Sequence, residues 1–438
     1  MKKRILLISA ACLGGSMVAS AQTSHYNQKV NPVNVILSDV VDSLKVYEAF
    51  AENSPADYRV PNAPRFAVVG KNNKFYLGVG GDVKATINYD WGSPIQNANE
   101  FAPYDIPMPN SQGYKGNKGG WFGISAQQTD LFLNFVALPD NPNKIGFYIN
   151  ATLLGSGYCP QVRSAYVTYR GIEAGYGFSL FTDLAADPTT IDYDGPNSFT
   201  VVINAKFDYR HNFGKHFGIG IGAEMPMTSY TDATHTSTVT QRVPDIPAYV
   251  QWNFGNNNRI RLSGLLRNMQ YQNEALGKTK NAVGWGVQLT GNFNICDKLI
   301  GYYQAAYGKG MTSYFEDLTG NGLDMVPNPT NNSELETVKA WGGYLGLQYN
   351  FSSKCYCNVL YSHLRNYAPN YGANGTFDGD PTPWTAQYKY GQYVLGNFFW
   401  NINNLFTWGV EYIYGRRVNM DGMQAHDNRI QTMLQINF

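Results

Sequence analysis

The chain has 438 residues, with 33 Lys and Arg against 32 Asp and Glu, so its formal net charge is only +1. This balance argues against nucleic acid or an anionic membrane surface as a partner. Beyond the first 21 residues no run approaches the roughly 18 uninterrupted apolar residues of a membrane helix, so only a β-barrel could span a membrane.

The N-terminus has the three parts of a secretory signal. A basic start at residues 2–4 precedes an apolar stretch at residues 5–18, and Ala19-Ser20-Ala21 supplies the small residues before a cleavage site. We predict cleavage after Ala21 rather than lipoprotein processing at Cys12. Loss of the three N-terminal cations leaves 30 basic and 32 acidic residues in the mature chain.

Residues 22–73 form a separate N-terminal segment with one predicted helix over residues 31–52. Asn31-Pro32 suits a helix start, and Asn53-Ser54-Pro55 suits its end. Apolar residues recur between them at steps of four and three, namely Val33, Leu37, Val40, Leu44, Tyr47 and Ala51. Such a short helix could join a parallel bundle in an oligomer, pack on the mouth of a barrel, or belong to a loosely ordered linker.

Residues 74–438 contain sixteen strand-like runs. They fall near residues 75–90, 121–137, 144–154, 161–170, 172–181, 199–211, 216–229, 242–254, 259–273, 282–295, 299–311, 337–351, 355–368, 387–401, 405–417 and 428–438. Long connections, as at 182–198, alternate with tight turns such as Arg170-Gly171, which is typical of an outer-membrane barrel. We therefore predict an all-β fold, a 16-stranded antiparallel transmembrane barrel with both termini in the periplasm of a Gram-negative cell.

The last strand ends on Phe438 and fixes which side chains face inward. Alternation places Ile436, Leu434, Thr432 and Ile430 on the lipid face, and Asn437, Gln435, Gln431 and Arg429 on the lumen face. Counting in the same way along other strands turns further cations inward. The predicted pore-lining cations are Lys206, Arg210, Arg261, Arg267, Arg417 and Arg429.

These six cations could guide carboxylates by charge-assisted hydrogen bonds, or they could simply be tolerated in a polar lumen. The loop from Thr182 to Ser198 carries four acids, Asp183, Asp187, Asp192 and Asp194. If this loop folds into the lumen it would constrict the pore and set acids against the cations. If it stays outside, it is an ordinary solvated loop.

No enzymatic or metal site is indicated. The sequence has no GxSxG, HExxH or P-loop motif, and its six histidines lack ligand spacing. An outer-membrane lipase or protease would need a Ser/His or Asp/His cluster, which is not visible, so we expect no catalytic residues, metal or cofactor. Four cysteines remain after cleavage, and the sequence assigns no disulfide among Cys159, Cys296, Cys355 and Cys357.

Several stretches resemble the DcaP-like family of trimeric outer-membrane porins. They are FTDLAADPTTIDYDGP (181–196), VPDIPAYVQW (243–252), RLSGLLRNMQY (261–271), GWGVQLTGNF (284–293), AYGKGMTSYFEDL (306–318), YGRR (414–417) and DNRIQTMLQINF (427–438). The resemblance implies a sixteen-stranded trimeric barrel, diffusion of small anions such as dicarboxylates, and a periplasmic coiled coil ahead of the barrel. Arg417 and Arg429 match the family's terminal motif. The short helix of the first seventy residues departs from it.

The sequence thus predicts an outer-membrane porin for passive diffusion of small, preferentially anionic solutes. Its expected partners are outer-membrane lipid, small carboxylates and two further copies of itself, with no nucleic acid. The alternative is a non-conducting structural or adhesive barrel.

Overall fold

The computed structural model describes residues 34–36, 43–55, 64, 66–109, 111, 114–116, 118–255, 258–369, 387–403 and 405–438. The predicted signal peptide, residues 1–21, lies outside them. Their elements in chain order are β1 Asn34–Ile36, α1 Ser43–Asn53, β2 Phe66–Val69, β3 Phe75–Gly92, β4 Gly119–Ser125, β5 Asp130–Ala137, β6 Ile145–Gly155, β7 Cys159–Tyr169, β8 Ile172–Phe178, β9 Ile203–Phe213, β10 Phe217–Glu224, β11 Thr236–Thr238, β12 Ile246–Phe254, β13 Asn258–Asn273, β14 Lys278–Cys296, β15 Leu299–Lys309, β16 Met325–Asn328, β17 Asn331–Thr337, β18 Lys339–Asn350, β19 Cys355–Asn366, β20 Tyr388–Asn401, β21 Phe406–Asn419 and β22 Gln424–Asn437. Short 3₁₀ turns cover Lys71–Asn73, Pro103–Asp105, Ser156–Tyr158, Leu184–Ala186, Thr312–Tyr314 and Glu316–Leu318. Within the described ranges, no helix is long and apolar enough to cross a membrane.

Sixteen antiparallel crossings close into a barrel. β4 and β5 make one crossing, because both pair with β3 and only residues 126–129 separate them. The sheet closes where β22 pairs with β3, from Asp427 opposite Gly92 to Asn437 opposite Asp82. The predicted sixteen-stranded all-β barrel is confirmed.

Side chains alternate across most of the barrel wall. On β22, Arg429 and Gln431 are 0% and 1% exposed, whereas Ile430 and Leu434 are 48% and 44% exposed. The parity counted from Phe438 is therefore correct for this strand. The apolar outer face is suited to lipid, and the lumen receives the polar side chains.

All five long connections lie at one end of the barrel. The end that holds the last residues of β22 is named the terminal end, and the opposite end the loop end. The loop end carries the five long connections, which are loop A (93–118), loop B (179–202), loop C (225–245), loop D (310–338) and loop E (367–387). Terminal-end turns are tight: Arg170 and Gly171 have φ of 49° and 83°, the pair of positive values that a two-residue hairpin turn requires.

Helix α1 lies inside the terminal end of the barrel. The Phe50 ring meets the edge of Tyr76 on β3, with 6.2 Å between ring centroids. The Asn53 side-chain amide donates to Asn134 Oδ1 on β5 at 2.7 Å, and the Tyr166 hydroxyl on β7 donates to the Asn53 carbonyl at 3.0 Å. An eleven-residue helix is marginal on its own, so these contacts with the barrel wall hold it in place.

The helix is shorter than the predicted helix over residues 31–52. That prediction is wrong at Asn34–Ile36, which form β1 and pair in parallel with Phe66–Val68 of β2. The β-branched Val35 and Ile36 favour a strand where a sheet edge is available. Residues 31–33 and 37–42 lie outside the described part. Of the three alternatives for this segment, packing at the barrel mouth describes Ser43–Asn53.

Candidate functional site

Loop B crosses the barrel lumen. It leaves β8, returns to β9, and is hydrogen-bonded between these points to inward-facing side chains of the opposite wall. The contacts run from Thr290 Oγ1 to Asp183 Oδ2 (2.5 Å), from Tyr344 Oη to the Ala186 carbonyl (3.1 Å), from Asn358 Nδ2 to the Thr189 carbonyl (3.0 Å), and from the backbone N–H groups of Ile191 and Asp192 to the Glu411 carboxylate (2.9 Å each). Of the two alternatives for this loop, the structure shows inward folding.

Loops A and D join loop B in one folded layer. The Phe101 N–H in loop A donates to Asp192 Oδ1 at 3.0 Å, and the Glu316 N–H in loop D donates to the Phe199 carbonyl at 2.9 Å. Much of this layer is apolar and buried. One cluster contains Phe181, Val202, Leu265, Ala306, Met311, Tyr314, Phe315, Leu318, Leu323, Val326, Val338, Ala340, Leu364, Ala368 and Tyr388. The lumen therefore holds a hydrophobic core built from loops and inward-facing wall residues.

The predicted pore-lining residue Arg261 anchors the start of loop B. Its Nη2 donates to the Leu180 carbonyl at 2.8 Å, and its Nη1 lies 3.8 Å from the Asp183 carboxylate. The neighbouring Arg259 approaches the same carboxylate at 2.9 Å. All three charged side chains are buried. A buried charge is tolerated only when it is paired, so this group holds loop B against β13.

Arg267 anchors loops C and D in the same way. Its guanidinium lies 3.0 Å from both Asp245 and Asp324, and its Nη1 donates to the Gly310 carbonyl at 2.8 Å. Asp245 ends loop C, whereas Gly310 and Asp324 belong to loop D. One buried cation thus ties two loops to β13.

Arg429 and Arg417 hold loop A. Arg429 makes a bidentate pair with Asp90 at 2.7 and 2.8 Å, and its Nη1 donates to the Glu100 carbonyl at 3.1 Å. Arg417 Nη1 donates to the Tyr104 carbonyl, and its guanidinium lies 4.6 Å from the centre of that residue's ring. The two residues of the terminal motif therefore position the same loop.

Lys206 and Arg210 lie on β9, which runs from loop B toward the terminal end. The Lys206 ammonium is 2.7 Å from both Glu173 and Asp208 and is buried by them. Arg210 is 3.9 Å from the same two carboxylates, and 15% of its side chain stays exposed. These four charges form one network on β8 and β9.

The six predicted cations face the lumen, but most do not face water. Lys206, Arg261, Arg267 and Arg429 are 6%, 0%, 3% and 0% exposed. The expectation of an open basic row is therefore incorrect at these four positions. Loop acids neutralise Arg261 and Arg267, whereas acids of the barrel strands neutralise Lys206 and Arg429. Arg210 and Arg417 remain partly exposed.

Partly exposed charges mark where the lumen stays accessible between loop B and the wall of β3 to β9. On the wall they are Lys84, Arg163 and Arg210 together with the acids Asp82 and Asp130, and on the loops they are Asp187, Asp194 and Glu316. The Lys84 ammonium donates to the Ile191 carbonyl at 3.2 Å, and the Arg163 guanidinium lies 4.7 Å from the centre of the Tyr193 ring. The three wall cations lie opposite the loop acids, and a carboxylate that enters this passage can form charge-assisted hydrogen bonds with them.

Sequence reasoning missed Lys84 and Arg163. Strand parity could have found Lys84, because it alternates with the outward-facing Val83 and Ala85 on β3. Arg163 lies at a register shift, where Ser164 pairs with Asn150 but Val162 pairs with Ala151. Such a bulge inserts one extra residue and breaks the alternation on which parity counting depends.

The four predicted constriction acids divide into two kinds. Asp183 and Asp192 are buried, and both are bound to the barrel wall. Asp187 and Asp194 are partly exposed on the passage side. Burial, reinforced by the nearby Glu316, raises the pKa of Asp194 well above its usual range, and burial raises the pKa of Glu316 to about 7. The loop side therefore carries less negative charge near neutral pH than its composition indicates.

The structure also bears on the cysteines and on metals. Cys159, Cys296, Cys355 and Cys357 are all free, so no disulfide joins them. In the part of the chain that the structure describes, no group of three His, Cys, Asp or Glu residues could hold a metal ion.

Known proteins similar to this chain are porins and outer-membrane channels. The model of the porin subfamily matches residues 148–419, more than half of the chain. The outer membrane channel DcaP of Acinetobacter baumannii shares the fold with a TM-score of 0.69 and 19% identity, over 84% of this chain and 99% of that one. The resemblance to DcaP-like porins is thereby confirmed.

More distant solved structures share the barrel fold. An anion-selective porin from Comamonas acidovorans has a TM-score of 0.53 at 10% identity, covering 83% of this chain and 100% of its own. The trimer form of OmpT from Vibrio cholerae has a TM-score of 0.50 at 9% identity, covering 83% and 99%. No curated protein sequence matches the chain significantly.

Proposed function

The chain belongs to the porin subfamily, and from this premise we propose that it lets small anionic solutes such as carboxylates diffuse passively across the outer membrane. The outer membrane is where its structural neighbours reside. The single observation that carries the anion preference is the passage between loop B and the wall. There Lys84, Arg163 and Arg210 face acids, of which Asp194 and Glu316 have raised pKa values.

The six cations predicted from strand parity take two roles in this proposal. Arg261, Arg267, Arg417 and Arg429 position the loops that narrow the lumen. Arg210 contacts passing solute together with Lys84 and Arg163, and Lys206 holds Arg210 through their shared carboxylates. Loop B is the constriction, with Asp187 and Asp194 on its accessible side.

Reversal potentials in planar bilayers under a salt gradient test the proposal. Pure protein should conduct with a preference for chloride and small carboxylates over potassium. Cation selectivity would refute the anion preference and leave the porin assignment intact.

A plugged, non-conducting structural barrel is the second candidate, because the folded loop layer fills much of the lumen. It predicts no single-channel current from the pure protein. Reproducible current steps would exclude it.

We also propose a homotrimer whose long loops face outward and whose termini lie in the periplasm. The trimer form of a related fold and the alternation of long and short connections support this arrangement. Light scattering of the purified protein tests the stoichiometry. Antibody access to an epitope placed in residues 420–423 of intact cells tests the orientation.

Replacing Arg163 by Gln should weaken the anion preference, because the passage loses one of its three exposed wall cations. Arg163→Lys should keep most of the preference, since the charge is retained. Arg170→Gln is the matched control, because Arg170 is exposed in a terminal-end turn of the same hairpin. Equal reversal potentials for Arg163→Gln and wild type would show that Arg163 does not contribute to the anion preference.

Anion preference should also depend on pH. Burial raises the pKa of Glu316 to about 7 and raises the pKa of Asp194 in the same direction, so both acids gain negative charge as the pH rises. Reversal potentials measured from about pH 5 to about pH 9 should therefore show the strongest anion preference at the acidic end. The double variant Asp194→Asn/Glu316→Gln should lose most of this dependence. A preference that grows with pH would contradict the prediction.

A further inference from the structure

The outer wall of the barrel carries a row of cations at its loop end. We define the outer basic row as Lys309 on β15, Lys339 on β18, Arg365 on β19 and Arg416 on β21. All four have outward parity, and each lies near the loop end of its strand. Since β15, β18, β19, β20 and β21 are consecutive neighbours in the barrel, the row occupies one continuous sector.

Strand pairing shows how the members of the row are spaced. Lys309 and Lys339 stand directly opposite each other. Two residues further along β18, Trp341 is opposite Arg365, and on β20 and β21 Gln392 is opposite Arg416. Like charges directly opposite on one sheet face destabilise a strand pair. The Lys309–Lys339 pair therefore favours a bound anion between the two ammonium groups.

No carboxylate neutralises the outer basic row within the described residues. None of its four members forms an ion pair with a described residue, and Arg416 is hydrogen-bonded only to the amides of Gln392 and Gln424. The Nε donor of Arg365 has no hydrogen-bond partner in the same part of the chain. Every acid of the barrel strands faces the lumen instead: Asp82, Asp90, Asp130, Glu173, Asp208, Glu224, Glu411 and Asp427.

Aromatic residues place the row at a membrane border. Trp341 and Tyr367 are exposed beside it, the Trp341 Nε1 donates to the Tyr367 hydroxyl at 3.1 Å, and the Arg365 guanidinium lies 4.5 Å from the Tyr367 ring centre. Trp and Tyr are typical of the membrane–water interface. Cations just above such a belt lie at the height of lipid head groups, where they cost little and meet phosphate.

We propose that the outer basic row binds the phosphate groups of a phosphorylated glycolipid of the lipopolysaccharide class in the outer leaflet. Charge selects this occupant over a second copy of the chain, because the outer wall of a second copy would offer no strand carboxylate as a counter-charge. This inference rests on the proposed orientation, in which the loop end faces outward.

Binding of purified lipopolysaccharide to the detergent-purified full chain tests the proposal. The double variants Lys309→Gln/Lys339→Gln and Arg365→Gln/Arg416→Gln should each bind roughly thirty-fold more weakly, because each cation near an anionic surface contributes a factor of about five. The control Lys298→Gln/Lys354→Gln removes two cations from terminal-end turns and should change the affinity less than about twofold. Dephosphorylated lipopolysaccharide should bind as weakly as the row variants.

Several results would overturn the proposal. The first is an affinity for lipopolysaccharide that is the same in the row variants as in wild type, and the second is an equal loss of affinity in the control variant. The third is equal binding of phosphatidylglycerol micelles and lipopolysaccharide by wild type. The fourth is a row variant that no longer forms the oligomer but still binds the lipid. The last would assign the row to an interface between copies. Row variants should conduct like wild type, because the row lies outside the pore. Absence of current from wild type would thus reject the proposed function alone, and the epitope at residues 420–423 tests the orientation separately.

Discussion

Replacing Asp183 by alanine should release loop B and widen the pore. The change removes the shared carboxylate of Arg259 and Arg261 and the acceptor of Thr290. Loss of one partner from a buried ion pair costs about 3–5 kcal/mol. The hydrogen bonds between the barrel strands do not involve this carboxylate. We therefore expect the substitution to destabilise the packing of loop B and not the barrel wall. Arg259 and Arg261 would then lack a counter-charge. Because water can solvate them only when loop B moves away, the open position of the loop is favoured.

Single-channel conductance should rise in Asp183→Ala, and anion preference should strengthen, because Arg259 and Arg261 become accessible from the lumen. Limited proteolysis should also cut loop B faster than in wild type. Asp140→Ala is the control, since it removes the same charge from an exposed terminal-end turn. A variant with wild-type conductance and wild-type protection of loop B would show that the Asp183 pair does not hold the constriction.

Replacing Phe50 by alanine should free helix α1 from the barrel mouth. Phe50 is fully buried against Tyr76 and belongs to a cluster with Val46, Ala67 and Val136. Truncation of a buried Phe to Ala costs about 3–5 kcal/mol. An eleven-residue helix has little stability of its own to offset that loss. We therefore expect the whole helix to detach from the barrel wall.

The helix lies close to the passage. A small pocket is lined both by Pro55, just after the helix, and by Leu184, Lys206 and Arg210. Release of the helix should therefore raise the conductance. Lys45→Ala changes the exposed face of the same helix and is the matched control. If proteolysis shows the helix released while the conductance stays at the wild-type value, the helix does not obstruct the pore.

The sequence was sufficient to predict the barrel wall. A strand with one lipid face and one polar face must alternate, so the inward positions of Arg261 and Arg429 followed from the neighbours Leu262 and Ile430 alone. The strand count followed from the same pattern and from the tight turns. Both signals are local along the chain.

The candidate site was less predictable, because its determinants are not local. Arg267 has one partner 22 residues away, and Arg429 has one 339 residues away, so neither burial nor pairing is visible in a single strand. Loop B has Pro and Asp in the proportions of an exposed loop, yet its Ile191 and Phe181 are fully buried. Alternation also fails at the bulge that turns Arg163 inward. Cations facing the lumen were thus identified, but which of them meet water was not.

The pairing of β3 with β22 also determines how the molecule must be assembled. The two strands come from opposite ends of the barrel sequence, so the sheet keeps two unpaired edges until the last residues are in place. Contacts between such distant segments form slowly. Before closure, the apolar faces of loops B and D would also lie open to water. The unfinished chain is therefore prone to aggregate until Phe438 exchanges its backbone hydrogen bonds with Gly81.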